Sequence, residues 1–180
     1  MADKKMICVI LASPSRNGST STLAMEAANA VEGADVRVHF LNKLEFRDCQ
    51  GCHLCKKGKP CPLKDDLVPV LEDLRNCDAL IVATPVYFGR PTGLYYMYED
   101  RTFKLYTEQP EPPARKALVI VSAGAPIQHA QPTAERIQRI LTRRNFEVST
   151  ILHSTKEHGL PKDNPEMLEK ARQAGRGLFP

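Results

Sequence analysis

The sequence predicts a three-layer α/β sandwich, five parallel strands in one sheet with helices on both faces. Three observations predict it. Short β-branched runs alternate with helix-length amphipathic segments. The runs Ile7-Cys8-Val9-Ile10-Leu11, Leu80-Ile81-Val82 and Leu118-Val119-Ile120-Val121 are nearly continuously apolar, the pattern of parallel strands covered on two sides. The chain has 180 residues, 42% hydrophobic and 26% charged, which suits one domain over residues 1–180 with a full core.

Strands are expected at residues 6–11, 36–41, 79–83, 117–122 and 146–152. Helices are expected at 20–31, 67–75, 91–104, 133–145 and 166–175, each with a polar or proline start signal nearby. So short an alternation of strand and helix makes a doubly wound sheet of order 2-1-3-4-5. Two segments interrupt it. Residues 45–66 carry no usable periodicity and form an insertion after the second strand. Gln109-Pro110-Glu111-Pro112-Pro113 reads as a stiff connector before the fourth strand, because proline removes ladder donors and fixes φ.

The first strand runs into Ser13-Pro14-Ser15-Arg16-Asn17-Gly18-Ser19-Thr20, which opens directly into a helix. This is the chemistry of a phosphate cradle. Free N–H groups at a helix start, the hydroxyls of Ser13, Ser15, Ser19 and Thr20, and the charge of Arg16 together suit one phosphate monoester. Gly18 allows a tight backbone approach. The loop is neither the Gly-Lys-Ser/Thr pattern nor Gly-x-Gly-x-x-Gly, which disfavours a nucleoside triphosphate and a dinucleotide pyrophosphate. The plain alternative is a capped, solvated loop, since Ser and Thr precede many helices. A ligand in an open α/β sheet lies beyond the carboxyl ends of the strands, so this loop should converge with Thr84-Pro85-Val86-Tyr87-Phe88-Gly89 after the third strand. Its amides and two rings suit a flat heteroaromatic group, although core packing is the ordinary role of Tyr87 and Phe88.

Four of the six cysteines fall in thirteen residues, Cys49-x2-Cys52-x2-Cys55-x5-Cys61, followed by Pro62. That spacing with its Cys-Pro ending resembles the bacterial ferredoxin run, and four thiolates are what one four-iron cluster needs. Structural zinc usually joins two separated Cys-x2-Cys knuckles, and disulfides need an oxidising compartment, so both are the lesser alternatives. Cys8 and Cys77 sit in apolar runs and read as buried small hydrophobes. The five histidines, His53 in the cysteine loop among them, read as solvated or structural, and no catalytic acid or base can be named.

The net charge of +4 is spread without a long basic block or aromatic interleaving, which argues against nucleic acid. The apolar stretch at residues 6–12 is short for a signal peptide and reads better as a strand feeding the loop. No apolar run approaches the roughly 20 residues of a membrane span, so a soluble, cytoplasmic protein is expected.

On these motifs, together with Asp65-Asp66 and Asp100-Arg101, the chain resembles the NADPH-dependent FMN reductase superfamily of flavodoxin-like proteins, and within it the iron–sulfur flavoproteins. The resemblance covers most of the chain. It implies a flavodoxin-like fold, FMN with its phosphate on Ser13, Ser15, Arg16, Asn17, Gly18, Ser19 and Thr20, and a [4Fe–4S] cluster on Cys49, Cys52, Cys55 and Cys61. It also implies a homodimer or homotetramer. The flavin ring would meet Pro85, Val86, Tyr87, Phe88 and Gly89, with Ser122 and Gly124 contributing from the loop after the fourth strand. The chain departs from the family where Ser15 and Arg16 replace a basic pair, where Ser19 replaces Asn, and where Leu94-Tyr95-Tyr96-Met97-Tyr98-Glu99 lacks a lysine many relatives carry. The expected function is electron transfer between a low-potential donor, a ferredoxin-like protein or NAD(P)H, and a small acceptor such as a quinone, oxygen or peroxide. Two other readings remain: an NAD(P)H-dependent FMN or quinone reductase without a functional cluster, and a non-catalytic redox sensor.

Overall fold

The computed structural model describes residues 4–106 and 113–179. Most of the proline-rich connector therefore lies outside the described residues. Five parallel strands make one sheet: β1 (Met6–Leu11), β2 (Asp35–Phe40), β3 (Ala79–Pro85), β4 (Arg115–Ala123) and β5 (Phe146–Ser154), in the order β2-β1-β3-β4-β5. The helices are α1 (Ser19–Asn29), α2 (Leu67–Asn76), α3 (Gly93–Arg101), α4 (Phe103–Tyr106), α5 (Gln131–Thr142), α6 (Thr155–His158) and α7 (Pro165–Arg176). None among the described residues is long and apolar enough to cross a membrane.

The apolar runs decide the layering. β1, β3 and β4 bury both faces, so alternate side chains feed two separate cores. Ile10, Leu80, Val82, Val119 and Val121 pack with Leu67, Leu71, Tyr95, Tyr98 and Ile137 from α2, α3 and α5. Ile7, Val9, Ile81, Leu118 and Ile120 pack with Leu23, Ala27, Met167 and Ala171 from α1 and α7. The second layer is close. A Cβ built on Gly175 of α7 would lie 1.9 Å from the Ala27 carbonyl oxygen of α1, so only glycine lets the two helices approach this far.

Three expected boundaries move, each for a local reason. β3, β4 and β5 run further at their carboxyl ends than the apolar pattern suggests, because the ladder continues through Pro85↔Ser122, Ser122↔His153 and Ala123↔Ser154, none of which is an apolar run. The helix expected at 91–104 starts at Gly93 and breaks at Thr102, whose hydroxyl donates back to the Glu99 carbonyl at 2.5 Å. The helix expected at 133–145 begins at Gln131 and stops at Thr142, three residues ahead of Asn145 at φ +61°.

Candidate functional site

Three loops leave the carboxyl ends of β1, β3 and β4 on the same edge of the sheet, where the order turns from β1 toward β2 on one side and β3 on the other. Named bonds tie them together. The amide of Ala12, just beyond β1, donates to the Ala83 carbonyl at 2.9 Å, and the Thr92 hydroxyl donates to the Ala12 carbonyl at 2.9 Å. The same Thr92 oxygen accepts the Tyr95 amide at 3.2 Å and so caps α3, while the Val86 amide donates to the Ser122 carbonyl at 2.8 Å.

Within the first loop Ser13 is buried and its hydroxyl is engaged locally, donating to the Ser15 carbonyl at 3.1 Å and accepting the Ser15 amide at 3.2 Å. Ser21 donates to that same carbonyl at 2.8 Å, and Asn42 fastens the Pro14 carbonyl from the β2 side at 2.8 Å. The loop is thus folded by its own hydroxyls. Ser15, Arg16 and Asn17 face solvent at its rim, where the Arg16 guanidinium lies 4.9 Å over the Phe40 ring. Gly18 precedes α1 without a side-chain cap, and a Cβ there would come within 3.2 Å of the Ser15 Cβ. The first amides of α1, at Ser19 and Thr20, therefore stand at the loop without a capping side chain.

The second loop projects. Tyr87 and Arg90 exchange backbone bonds across a turn in which Phe88 has φ +52° and Gly89 φ +74°. A bulky residue in the left-handed region costs energy, and here it holds a phenyl ring that is fully exposed beside a Tyr87 that is 46% exposed. The core role considered for these two rings is therefore not theirs. The third loop follows Ser122, which is buried with its hydroxyl oxygen unpartnered among the described residues. Gly124 is exposed, and Thr155 and Ser154 hold the loop by donating to the Ala123 and Ala125 carbonyls.

The four motif cysteines lie in the stretch at residues 44–66, whose one regular element among the described residues is a 3₁₀ turn, Cys55–Lys57, that carries Cys55 itself. Positive φ at Gly51, His53 and Gly58 turns the chain sharply between them. Cys49, Cys52, Cys55 and Cys61 all line one open cavity of about 490 Å³, whose lining also includes Arg101, Phe103, Ile140 and Arg144. Among the described residues no three Cys, His, Asp or Glu side chains converge as a metal-binding group, so the thiols share a cavity without forming a ligand cage. Cys8 and Cys77 are different. Burial pushes the Cys8 thiol well up and the Cys77 thiol to about 11, which keeps both protonated.

The tyrosine run on α3 is divided. Tyr95 and Tyr98 are in the core, and Tyr96 lies beneath the guanidinium groups of Arg136, at 4.8 Å, and Arg90, at 5.7 Å. The sequence reading missed Thr92, placed inside a helix although Thr before a helix is a cap signal, and it left Asp65 and Arg101 without a role.

A doubly wound sheet with a hydroxyl-rich loop at its switch point and two further loops beside it defines a flavodoxin-like protein. Solved structures agree on the fold. The chain superposes on an NAD(P)H:quinone oxidoreductase from Methanothermobacter marburgensis with a TM-score of 0.71 at 18% identity, covering 98% of this chain and 100% of that one. It superposes on a flavodoxin from the domain Archaea with a TM-score of 0.61 at 17% identity, covering 97% and 95%. A family model described as NADPH-dependent FMN reductase matches residues 6–159. An iron-sulfur flavoprotein of Archaeoglobus fulgidus is 30% identical over 139 residues, 76% of this chain and 70% of that protein. Another of Methanocaldococcus jannaschii is 36% identical over 95 residues, 52% of this chain and 49% of that one. The first of these alignments apart, the chain spans about half the length of the curated relatives it matches. The chain belongs to the NADPH-dependent FMN reductase family of flavin redox proteins, and within it to the iron–sulfur flavoproteins.

Proposed function

We propose that the protein binds FMN across the three loops and a [4Fe–4S] cluster on Cys49, Cys52, Cys55 and Cys61 in the loop at residues 45–66, and that it passes electrons between a low-potential donor and a small acceptor. The donor would be a ferredoxin-like protein or NAD(P)H. The observation that carries the reading is that all four cysteines of a thirteen-residue motif line one cavity.

The chemistry of the residues present supports each group. Gly18 leaves room that a Cβ would fill, Ser122 holds a buried hydroxyl with no protein partner, and the two loops are already fastened through Ala12 and Thr92. The cysteine loop supplies an all-thiol donor set with glycine turns between the thiols, the soft chemistry that selects iron–sulfur clusters. When bound, FMN would exchange electrons in pairs or singly and the cluster singly, which joins two kinds of redox partner. The chain's own contribution is placement. Ser15, Arg16, Asn17, Ser19 and Thr20 would hold the phosphate, with Arg16 supplying charge. The amides of Phe88 and Gly89, together with the loop at Ser122 and Gly124, would face the polar edge of the ring, and the Tyr87 and Phe88 rings would cover its surface.

Replacing Cys52 or Cys55 by Ala tests this reading. Iron and acid-labile sulfide should fall away while one FMN per chain stays bound at the other loops. Retention of both cofactors would show that the ligands are wrongly assigned.

A further inference from the structure

We infer that Asp65 and Arg101 are positioning residues which clamp the two ends of the cysteine loop together and hang it from the end of α3. The inference rests on the reading that the loop receives a cluster.

The loop begins at residues 45–47, beyond β2, and ends at 65–67, where α2 starts. Its two ends are stitched by a small set of bonds. The Arg101 side chain, 2% exposed, grips the Asp65 carboxylate with both arms, Nη1 to Oδ2 at 2.7 Å and Nη2 to Oδ1 at 3.1 Å. The same Nη1 donates to the Arg47 carbonyl at 2.8 Å. The carboxylate in turn accepts the Arg47 amide at 3.2 Å and the Leu67 amide at 3.3 Å. Next to it, Asp66 accepts the Glu45 amide on its side chain at 2.8 Å and donates its own amide to the Glu45 carbonyl at 3.3 Å. One guanidinium and two carboxylates thus join entry and exit.

Inside the clamp the chain has little holding it. Residues 47–53 and 56–60 are exposed, and among the described residues the backbone bonds of this stretch join Leu54 and Cys55 to Lys57, Gly58 and Lys59. The thiols owe their common cavity to what happens at the base. Arg101 itself lines that cavity beside the four cysteines. A planar guanidinium is suited to this junction because its fork satisfies a carboxylate and a carbonyl at once, which an ammonium cannot do with the same geometry.

The clamp also has a definite anchor. α3 carries Arg101 at its carboxyl end and is capped at its other end by Thr92, the residue bonded to Ala12 below the first loop. Nine helical residues span about 13 Å. The helix is therefore a rod with the cysteine loop fastened at one end and the phosphate and ring loops at the other, and it sets the spacing of the two sites.

The test compares wild type with Asp65→Asn and Arg101→Met. Hydrogen exchange on metal-free protein should show the Glu45 and Arg47 amides exchanging at least about tenfold faster in the variants, with amides of β1, β3 and β4 unchanged. After anaerobic reconstitution, iron per chain should drop below half of the wild-type value, while the FMN dissociation constant stays within about twofold. Asp65→Asn keeps the size of the side chain and serves if Arg101→Met does not fold. Unchanged exchange at Glu45 and Arg47 overturns the clamp, and so does full iron content despite faster exchange. Loss of FMN in step with iron overturns it too, since it marks a general structural role. Wild-type protein that takes up no iron would instead refute the cluster reading, and the exchange result would still decide the clamp.

Discussion

Thr92→Val is the sharpest perturbation of the flavin side of the molecule. Valine fills the same volume, so no cavity opens, but two bonds disappear: the hydroxyl's donation to the Ala12 carbonyl and its acceptance of the Tyr95 amide. Loss of a cap of this kind costs about 1 kcal/mol. Ala12 is fully buried, so its carbonyl loses a partner where water does not reach, which costs about 1–3 kcal/mol more. The expected destabilisation is roughly 2–4 kcal/mol, or about 6–12 °C in Tm at the middle of that range for a chain of this size. Urea denaturation measures the first figure directly, and an FMN titration on the same sample should show weaker binding, because Thr92 joins the first loop to α3. A loss below about 1 kcal/mol would refute the reasoning, since it would mean that neither bond is made in solution.

Other consequences are as definite. Gly175→Ala should destabilise the protein by at least about 1–3 kcal/mol, because the added methyl meets backbone of α1 that has no room to shift; an unchanged urea midpoint would contradict the α1–α7 packing. Arg16→Ala should weaken FMN binding by roughly 1.5–3 kcal/mol, the worth of one charged hydrogen bond, and an unchanged dissociation constant would remove Arg16 from the site. Burial lowers the basicity of His153, as it does that of His39. The unfolded chain then takes up protons first as pH falls through about 6.5, so stability is complete above that pH and declines below it. His153→Gln should flatten part of that decline between pH 7.5 and 5.5, and an identical slope would show that His153 stays uncoupled. Between its two acidic ends, the cysteine loop carries five basic residues and one acid from Arg47 to Lys64. Reduction by an acidic one-electron carrier protein should therefore slow as ionic strength rises, and Lys57→Glu with Lys59→Glu should slow it about tenfold at low salt. Rates indifferent to salt would separate the loop from the donor.

Much of this molecule was legible in residue pattern because its central strands are apolar on both faces, and few other structures ask for that. The strand ends were less legible: Pro85, His153 and Ser154 stay in the ladder through backbone bonds that their side chains do not announce. The site divides the same way. Spacing alone brought out the cysteine motif, and hydroxyl content brought out the first loop. What spacing does not carry is partnership across the fold. Nothing local to Asp65 says that a guanidinium 36 residues away will grip it, and nothing local to Ser13 says that its hydroxyl will serve the loop's own backbone. The exposed Phe88 at positive φ is a feature of the same kind, since an aromatic after a strand ordinarily means core.

The central claim is that one chain carries both a flavin site and a cluster site. Iron, acid-labile sulfide, zinc and FMN, measured per chain on one sample purified without oxygen, test it most directly. About four iron, four sulfide and one FMN is the predicted result. Flavin with no iron, or with zinc in its place, would contradict the account and leave the cysteine loop a structural element of a flavin reductase.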